Sequence, residues 1–402
     1  MDSILNAAAL ALATGDVLGA LNRVALRDDP EALALRGIAM SQLGDFTRAR
    51  ALLKQAARGF GRREAVSRAR CLLAEAEIAL VSRDLAWPPE KLEEARTILL
   101  HRGDVANAAH AGIIQARRHL LLGRLDRAAD GLAMLAPESL PPALRAAYWL
   151  VHAGMDIRRL RVALARQALV RAGQAAGQSG IPALIAEVDA ARRSLEGPAA
   201  LLRRRGVETA ISLDEVETLL ASDVLVVDAT RNGLRQGGDI IPLSTRPVLF
   251  ALLHALGDAW PGDATRETLL ARAFHARHAD ESHRARLRVE ITRLRQLIAP
   301  RAGLSATLAG FRLIPRSGDV AVLAFPLDDQ NAAIMALLAD GELWSSSALA
   351  LVLDISARTV QRALGQLQHA GKVQAIGRGR AQRWSLRTLP GFPTTLLLPE
   401  PG

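Results

Sequence analysis

Apolar residues recur at helical spacing almost without a break from the start of the chain to about residue 205. The pattern stops at Gly197-Pro198, and Gly206 follows an arginine triplet, which places a domain boundary there. A β-branched run at Val224–Val227 follows, then two turn signals, Arg231-Asn232-Gly233 and Gly237-Gly238, ahead of Ile240-Ile241. Two or three short antiparallel strands are expected. Helical periodicity returns with Val248, Leu249, Leu252, Leu253 and Leu256, then with "RETLLARAF" behind a Thr265 cap. A third helix, "ESHRARLRVEITRLRQLI", carries Leu287, Ile291, Leu294 and Ile298 at steps of four, three and four, which define a buried stripe. Two short β-forming runs then flank Gly310.

The same order recurs near the C-terminus. Ile334, Leu337 and Leu338 mark one helix, Ser345 to Leu353 a second, and Ser356 caps a third whose Val360, Leu364 and Leu367 point inward. "KVQAIGRGRAQRWSL" reads as two strands with Gly377–Arg380 at the tip. The tail "LPGFPTTLLLPEPG" suits either a strand laid on a sheet or a docking segment for another copy. These patterns divide the chain into 1–205, 214–317, 326–389 and a Pro-rich tail at 390–402.

Charge sharpens this outline. The net charge is +10, and nearly every basic residue is arginine, with lysine only at 54, 91 and 372. His283–Arg316 holds eight arginines against Glu290 alone, and Ile355–Arg387 holds seven basic residues against no acid. Each segment is therefore +7, and the remainder of the chain is −4. Two compact cationic segments on an otherwise acidic chain are the footprint of a polyanion binder.

Composition adds exclusions. Half the residues are hydrophobic and only 3% aromatic, a mix that favours helices over all-β designs. The lone Cys71 forms no internal disulfide or thiolate zinc site, as expected in a reducing compartment, and its Ala-rich helical surroundings suit a packed apolar residue. No apolar run is long enough to span a bilayer, and Asp2 stands where a secretory signal needs basic residues. We therefore expect a cytoplasmic, nucleoid-associated protein with no membrane partner. His275, His278 and His283 cluster in "HARHADESH" without a thiol, and their place at the entry to a basic helix argues against metal. No Ser/His/Asp arrangement, phosphate loop or helical HExxH occurs, so neither an enzyme nor a cofactor is expected.

In the first half, "PEALALRGIAMSQLGDFTRARALLKQA" (30–56) contains two helices joined at Gly44-Asp45-Phe46, with small residues at Gly37 and Ala49 for close antiparallel approach. It resembles a tetratricopeptide repeat, whose corner appears here as Gly44-Asp45-Phe46-Thr47-Arg48-Ala49. Fainter corners lie at Gly15 and Gly123, with irregular spacing that also fits an irregular helical bundle. Such stacked pairs imply a concave surface for a protein partner or for self-association into a homodimer.

The 214–317 segment resembles the winged-helix output domain of OmpR/PhoB-type regulators. The resemblance rests on "IPLSTRPVLFALLHAL", on "ARLRVEITRLRQLI" as recognition helix and on "TLAGFRLIP" as wing. It implies that Arg288, Val289 and Arg293 face bases and that Thr292 and Arg295 lie against phosphates. Arg286, projecting from the same helix, and Arg312 are also expected in the DNA-binding set. Arg286 and Arg288 replace smaller or acidic residues of that family, and Ala309 falls near its minor-groove arginine.

The last segment resembles the "S-x-R-T-V-x-R-x-L-x-x-L-x-x-x-G" pattern of bacterial regulators, a second winged helix-turn-helix. Its outer face presents Arg358, Gln361, Arg362 and Gln366, with Thr359 at the edge. Arg and Gln can read base edges bidentately in the ~12 Å major groove. Arg378 and Arg380 on the glycine hook, and Arg383 beyond it, would reach the backbone or minor groove. The expectation is a mainly α chain: a tetratricopeptide-like repeat followed by two winged-helix (α+β) domains, a DNA-binding transcription regulator. A replication initiator with tandem winged helices and a protein-only adaptor remain as alternatives.

Overall fold

The computed structural model describes residues 3–13, 15–61, 63–82, 84–243, 245–274, 281–316, 318–324, 334, 337–338, 343–353, 355–369, 373–377, 379 and 382–386. The chain is mainly helical, with a mixed sheet in its C-terminal part. It divides into two compact units, Met1–Arg193 with Ile334–Gly402, and Ser194–Ala333.

The first unit opens with a succession of helices: α1 Ser3–Ala13, α2 Val17–Val24, α3 Pro30–Gln42, α4 Phe46–Gly59, α5 Ala65–Val81, α6 Pro89–His101, α7 Val105–Leu121, α8 Leu125–Ala133, α9 Pro142–Arg158, α10 Val162–Ser179 and α11 Pro182–Glu196. Four of the corners share one device. Gly15, Gly44, Gly103 and Gly123 adopt φ between 73° and 84°, the left-handed conformation glycine enters without a Cβ penalty. At three of them the next residue is an aspartate that caps the following helix. Asp16 accepts from the Gly19 amide at 2.8 Å, Asp45 from Arg48 at 3.0 Å and Asp104 from Asn107 at 3.3 Å. Two ion pairs, Arg50–Asp84 at 2.9 Å and Arg70–Asp104 at 2.7 Å, tie α4 to the end of α5 and α5 to the start of α7.

The C-terminal module belongs to this unit. It comprises α16 Ser346–Leu353, α17 Ala357–His369 and the hairpin of β10 Val373–Ile376 and β11 Arg383–Leu386. Trp344 and Trp384 exchange backbone hydrogen bonds at 2.8 and 2.7 Å, which adds a third extended segment to the hairpin. A continuous apolar core includes Leu53, Leu73 and Leu99 of the helical array and Trp344, Leu364 and Trp384 of the module.

The second unit begins before the sequence-read boundary at 205. Its strands β1 Ala200–Arg204 and β2 Val207–Ile211 precede α12 Leu213–Ala221, and β3 Leu225–Asp228, β4 Gly233–Gln236 and β5 Asp239–Pro242 follow. Then come α13 Pro247–Ala259, β6 Ala264–Thr265, α14 Arg266–Phe274, α15 Glu281–Ile298, β7 Ala302–Ala306, β8 Gly310–Pro315 and β9 Val320–Ala324. The large sheet runs β2-β1-β9-β3-β4-β5, and a smaller one runs β6-β8-β7. Strand β9 returns to lie between β1 and β3, antiparallel to the first and parallel to the second. The unit therefore extends past both ends of the 214–317 span read from sequence. The predicted turns at Asn232-Gly233 and Gly237-Gly238 are present, joining β3 to β4 and β4 to β5 in antiparallel register.

Candidate nucleic-acid interface

Helix α15 sorts its residues by face. Leu287, Ile291, Leu294 and Ile298 are buried, as their spacing predicts, in a core shared with Leu252, Leu253 and Leu269. Arg286, Arg288, Val289, Thr292, Arg293 and Arg295 are all exposed. Val289 leaves 50% of its surface in solvent, an aliphatic group amid cations.

Several of these cations have local partners. Arg286 stacks its guanidinium over the Phe274 ring at 4.6 Å. Arg288 lies 3.8 Å from Glu281, and the two side chains are equally exposed. Arg293 pairs with Glu290 at 2.8 Å while keeping 63% of its side chain exposed. The Arg288–Glu281 pair, exposed on both sides, is weak and exchanges readily for a stronger anion. Thr292 donates from Oγ1 to the Arg288 carbonyl at 2.9 Å. Arg295 donates from Nε to the Leu304 carbonyl at 3.2 Å and so braces the helix against β7. Arg293 also lines, with Arg246 and Gln296, an open cavity of ≈ 630 Å³ between the first turn of α13 and the second half of α15.

The β7–β8 hairpin stands beside this helix on its own bracing. Arg312 pairs with Asp263 at 2.7 Å. Hydrogen bonds from Arg312 and then Thr307 hold the Asp263 carboxyl below its ordinary range. Arg312, taken from sequence as a DNA contact, is thus committed to an ion pair, although half of its side chain remains exposed. Arg266 donates to the carbonyls of Leu308 and Thr307 at 2.8 and 3.1 Å and lies over the Phe311 ring at 5.7 Å. The sequence reading passed over Arg266. A basic residue just after the Thr265 cap was its only signal.

Helix α17 follows the same division. Ser356 accepts from the Thr359 amide at 3.1 Å and fixes its start. Val360, Ala363, Leu364 and Leu367 are buried, and Arg358, Thr359, Gln361, Arg362 and Gln366 are exposed. Thr359 shares a hydroxyl contact with Ser356 at 2.8 Å, so part of its hydrogen-bonding capacity serves the cap.

Arg383 requires a correction. Instead of projecting from the hairpin, it donates from Nε to the Ser82 carbonyl at the end of α5, at 2.8 Å, and from a terminal nitrogen to the Gln382 carbonyl at 3.0 Å. Burial pulls its pKa below the ordinary arginine value, partly offset by the nearby Asp84 carboxylate. It is a packing residue of the first unit. Arg378 and Arg380 lie outside the described residues, as do His275, His278 and the 390–402 tail.

Among the described residues no group of acidic, histidine or cysteine side chains could hold a metal ion, and no helix is long and apolar enough to cross a membrane. Cys71 is buried, and burial, with the Glu75 carboxylate as a lesser cause, pushes its thiol up to about 12. No family model, curated protein or solved structure matches this chain.

Proposed function

We propose that this chain is a sequence-specific DNA-binding transcription regulator with two winged-helix readers. In this reading α15 and α17 each enter a major groove, and the helical array, a tetratricopeptide-like repeat, holds a protein partner or a second copy. The observation that carries it is the division of both helices into a buried aliphatic stripe and an exposed face of Arg, Gln and Thr. A solvated basic face alone needs no such repetition. Here two helices of different sequence each precede a β-hairpin and each fall in a +7 segment. The recurring glycine-aspartate corners at Gly15-Asp16, Gly44-Asp45 and Gly103-Asp104 support the repeat reading.

The division of labour follows from the side chains. Arg293 and Arg362 combine exposure with a planar donor fork that matches the O6 and N7 acceptors of guanine. Gln361 and Gln366 suit adenine, and Val289 suits a thymine methyl. Arg295 and Arg358 contribute to phosphate neutralisation. Two readers on one chain raise the effective concentration of the second site once the first is bound.

Selection of bound duplexes from a random pool, followed by footprinting of Arg293→Ala and Arg362→Ala on the selected site, tests the proposal. Each variant is expected to relax preference at its own position. A selected motif made of repeat arrays would favour the initiator reading, and no enrichment would favour the adaptor.

A further inference from the structure

At the tip of the β7–β8 hairpin, between Ala306 and Gly310, Leu308 is 104% exposed, the most exposed of the large hydrophobic residues described. Exposed leucines are ordinary on mobile loops, but this one stands on a heavily braced turn. Thr307 donates its amide to the Gly310 carbonyl at 3.0 Å, and its Oγ1 accepts from the Gly310 amide at 3.0 Å. Arg266 clamps the carbonyls of Thr307 and Leu308, and its own amide donates to the Ala309 carbonyl at 3.3 Å. Gly310 sits so close to β6 that a Cβ there would lie 2.0 Å from the Ala264 carbonyl oxygen, which pins the base of the turn. The backbone carbonyls of Thr307, Leu308, Ala309 and Gly310 are each occupied, and the Leu308 side chain is offered outward.

The setting of that side chain narrows its partner. Arg266 holds the tip itself, Arg312 on the adjoining strand is paired with Asp263, and the exposed arginines of α15 belong to the same unit. A single apolar group beside the Arg266 cation, on a unit whose α15 face is also cationic, is complementary to a partner with an apolar interior edged by anions. Stacked base pairs between two phosphate strands have that composition, and apolar wedges between base steps are an established way to kink a duplex at its minor groove.

We propose that Leu308 is a wedge that enters the minor groove beside the α15 site and partly unstacks one base step. The inference rests on the DNA-binding reading above. The rigid brace lets the turn hold its shape against the resistance of the stack, and Arg266 at the tip faces the flanking phosphates. Flexible pyrimidine–purine steps, TA and CA/TG, open at least cost, so Leu308 selects sequence through deformability without a hydrogen bond to any base.

The test compares the intact protein with Leu308→Ala and Leu308→Gln on duplexes selected by the wild type, with 2-aminopurine placed at successive positions of the hairpin-side flank. Wild-type binding should raise 2-aminopurine fluorescence at one step and bend the duplex in a gel-phasing assay. Leu308→Ala should abolish both signals, lower affinity about tenfold, keep the salt dependence unchanged and lose the preference for TA or CA/TG at that step. Leu308→Gln, of similar size, should also fail to unstack. Wild type that binds, with no fluorescence change, no bend and no loss in either variant, overturns the wedge and leaves the DNA-binding reading standing. Wild type that selects no duplex overturns the reading itself, and the wedge with it. Loss of thymine preference in Leu308→Ala without unstacking would reassign the leucine to a methyl contact and also overturn the wedge.

Discussion

Arg383 and Ser82, 301 positions apart in sequence, are joined by a hydrogen bond of 2.8 Å from the guanidinium Nε to the backbone carbonyl. The bond ties the hairpin after α17 to the end of α5, where the Arg50–Asp84 pair also sits. Together with the shared core of Leu73, Leu364 and Trp384, it makes the C-terminal module an integral part of the helical unit.

Replacement of Arg383 by alanine should therefore weaken folding and leave DNA contact intact. Loss of a charged hydrogen bond at a half-exposed side chain costs about 1–2 kcal/mol. Denaturant unfolding checks the first part. The slope of binding against salt checks the second, because loss of a true phosphate contact would shift it by about 0.9. An unchanged unfolding midpoint with a reduced slope would return Arg383 to the interface.

Arg293→Ala and Arg362→Ala should each cost about 1–3 kcal/mol at one base position and little elsewhere. Both side chains are exposed, so neither variant should lose more than about 0.5 kcal/mol of stability. Base-by-base competition assays read the first effect and thermal melts the second.

Gly37 lies where α3 crosses α4. A Cβ there would fall 2.8 Å from Leu53 Cγ and 3.3 Å from the Ala49 carbonyl oxygen. Leu53 is fully buried, so it has no room to give way. Gly37→Ala should cost about 1–3 kcal/mol through overpacking. A melting temperature equal to that of wild type would show that the two helices part more easily than this packing implies.

Cys71 offers a test by pH. Its folded pKa of about 12 stands above the ~8.5 of an unfolded thiol. Unfolding therefore releases a proton between those values. The stabilisation is fully present below about pH 8.5 and is lost as pH rises toward 12. From about pH 9 to about pH 11 the stability of wild type should fall more steeply than that of Cys71→Ala. A disulfide reagent should react with the native thiol only as fast as the chain opens. Parallel pH profiles for the two proteins, or rapid native labelling, would contradict the buried placement.

The elements easiest to read from sequence were those with local causes. The stripe of Leu287, Ile291, Leu294 and Ile298 needs only helical spacing, and the caps at Thr265 and Ser356 need only a hydroxyl three residues ahead of a free amide. What escaped depends on distant partners. "ALLRR" at β1 continues the alanine- and leucine-rich composition of α11, and it becomes a strand because Leu202 pairs with Thr209 and Leu323. "VAVLA" at β9 is a short apolar run that fits several elements, and its central place in the sheet is decided by β1 and β3. Arg383 carries no local sign of its role, because Ser82 and Asp84 are far away in sequence. The clamp made by Arg266 was hidden for the same reason, its acceptors lying 41 and 42 positions downstream.

The central claim is that α15 and α17 both lie on duplex DNA, and the salt dependence of binding measures it most directly. On a selected duplex, the slope of log affinity against log salt should be steep for wild type. It should become shallower by about 0.9 in Arg295→Ala, by a similar amount in Arg358→Ala, and by the sum of the two in the double variant. Undetectable binding at ~0.1 M salt, or a slope that all three variants leave unchanged, would contradict the account.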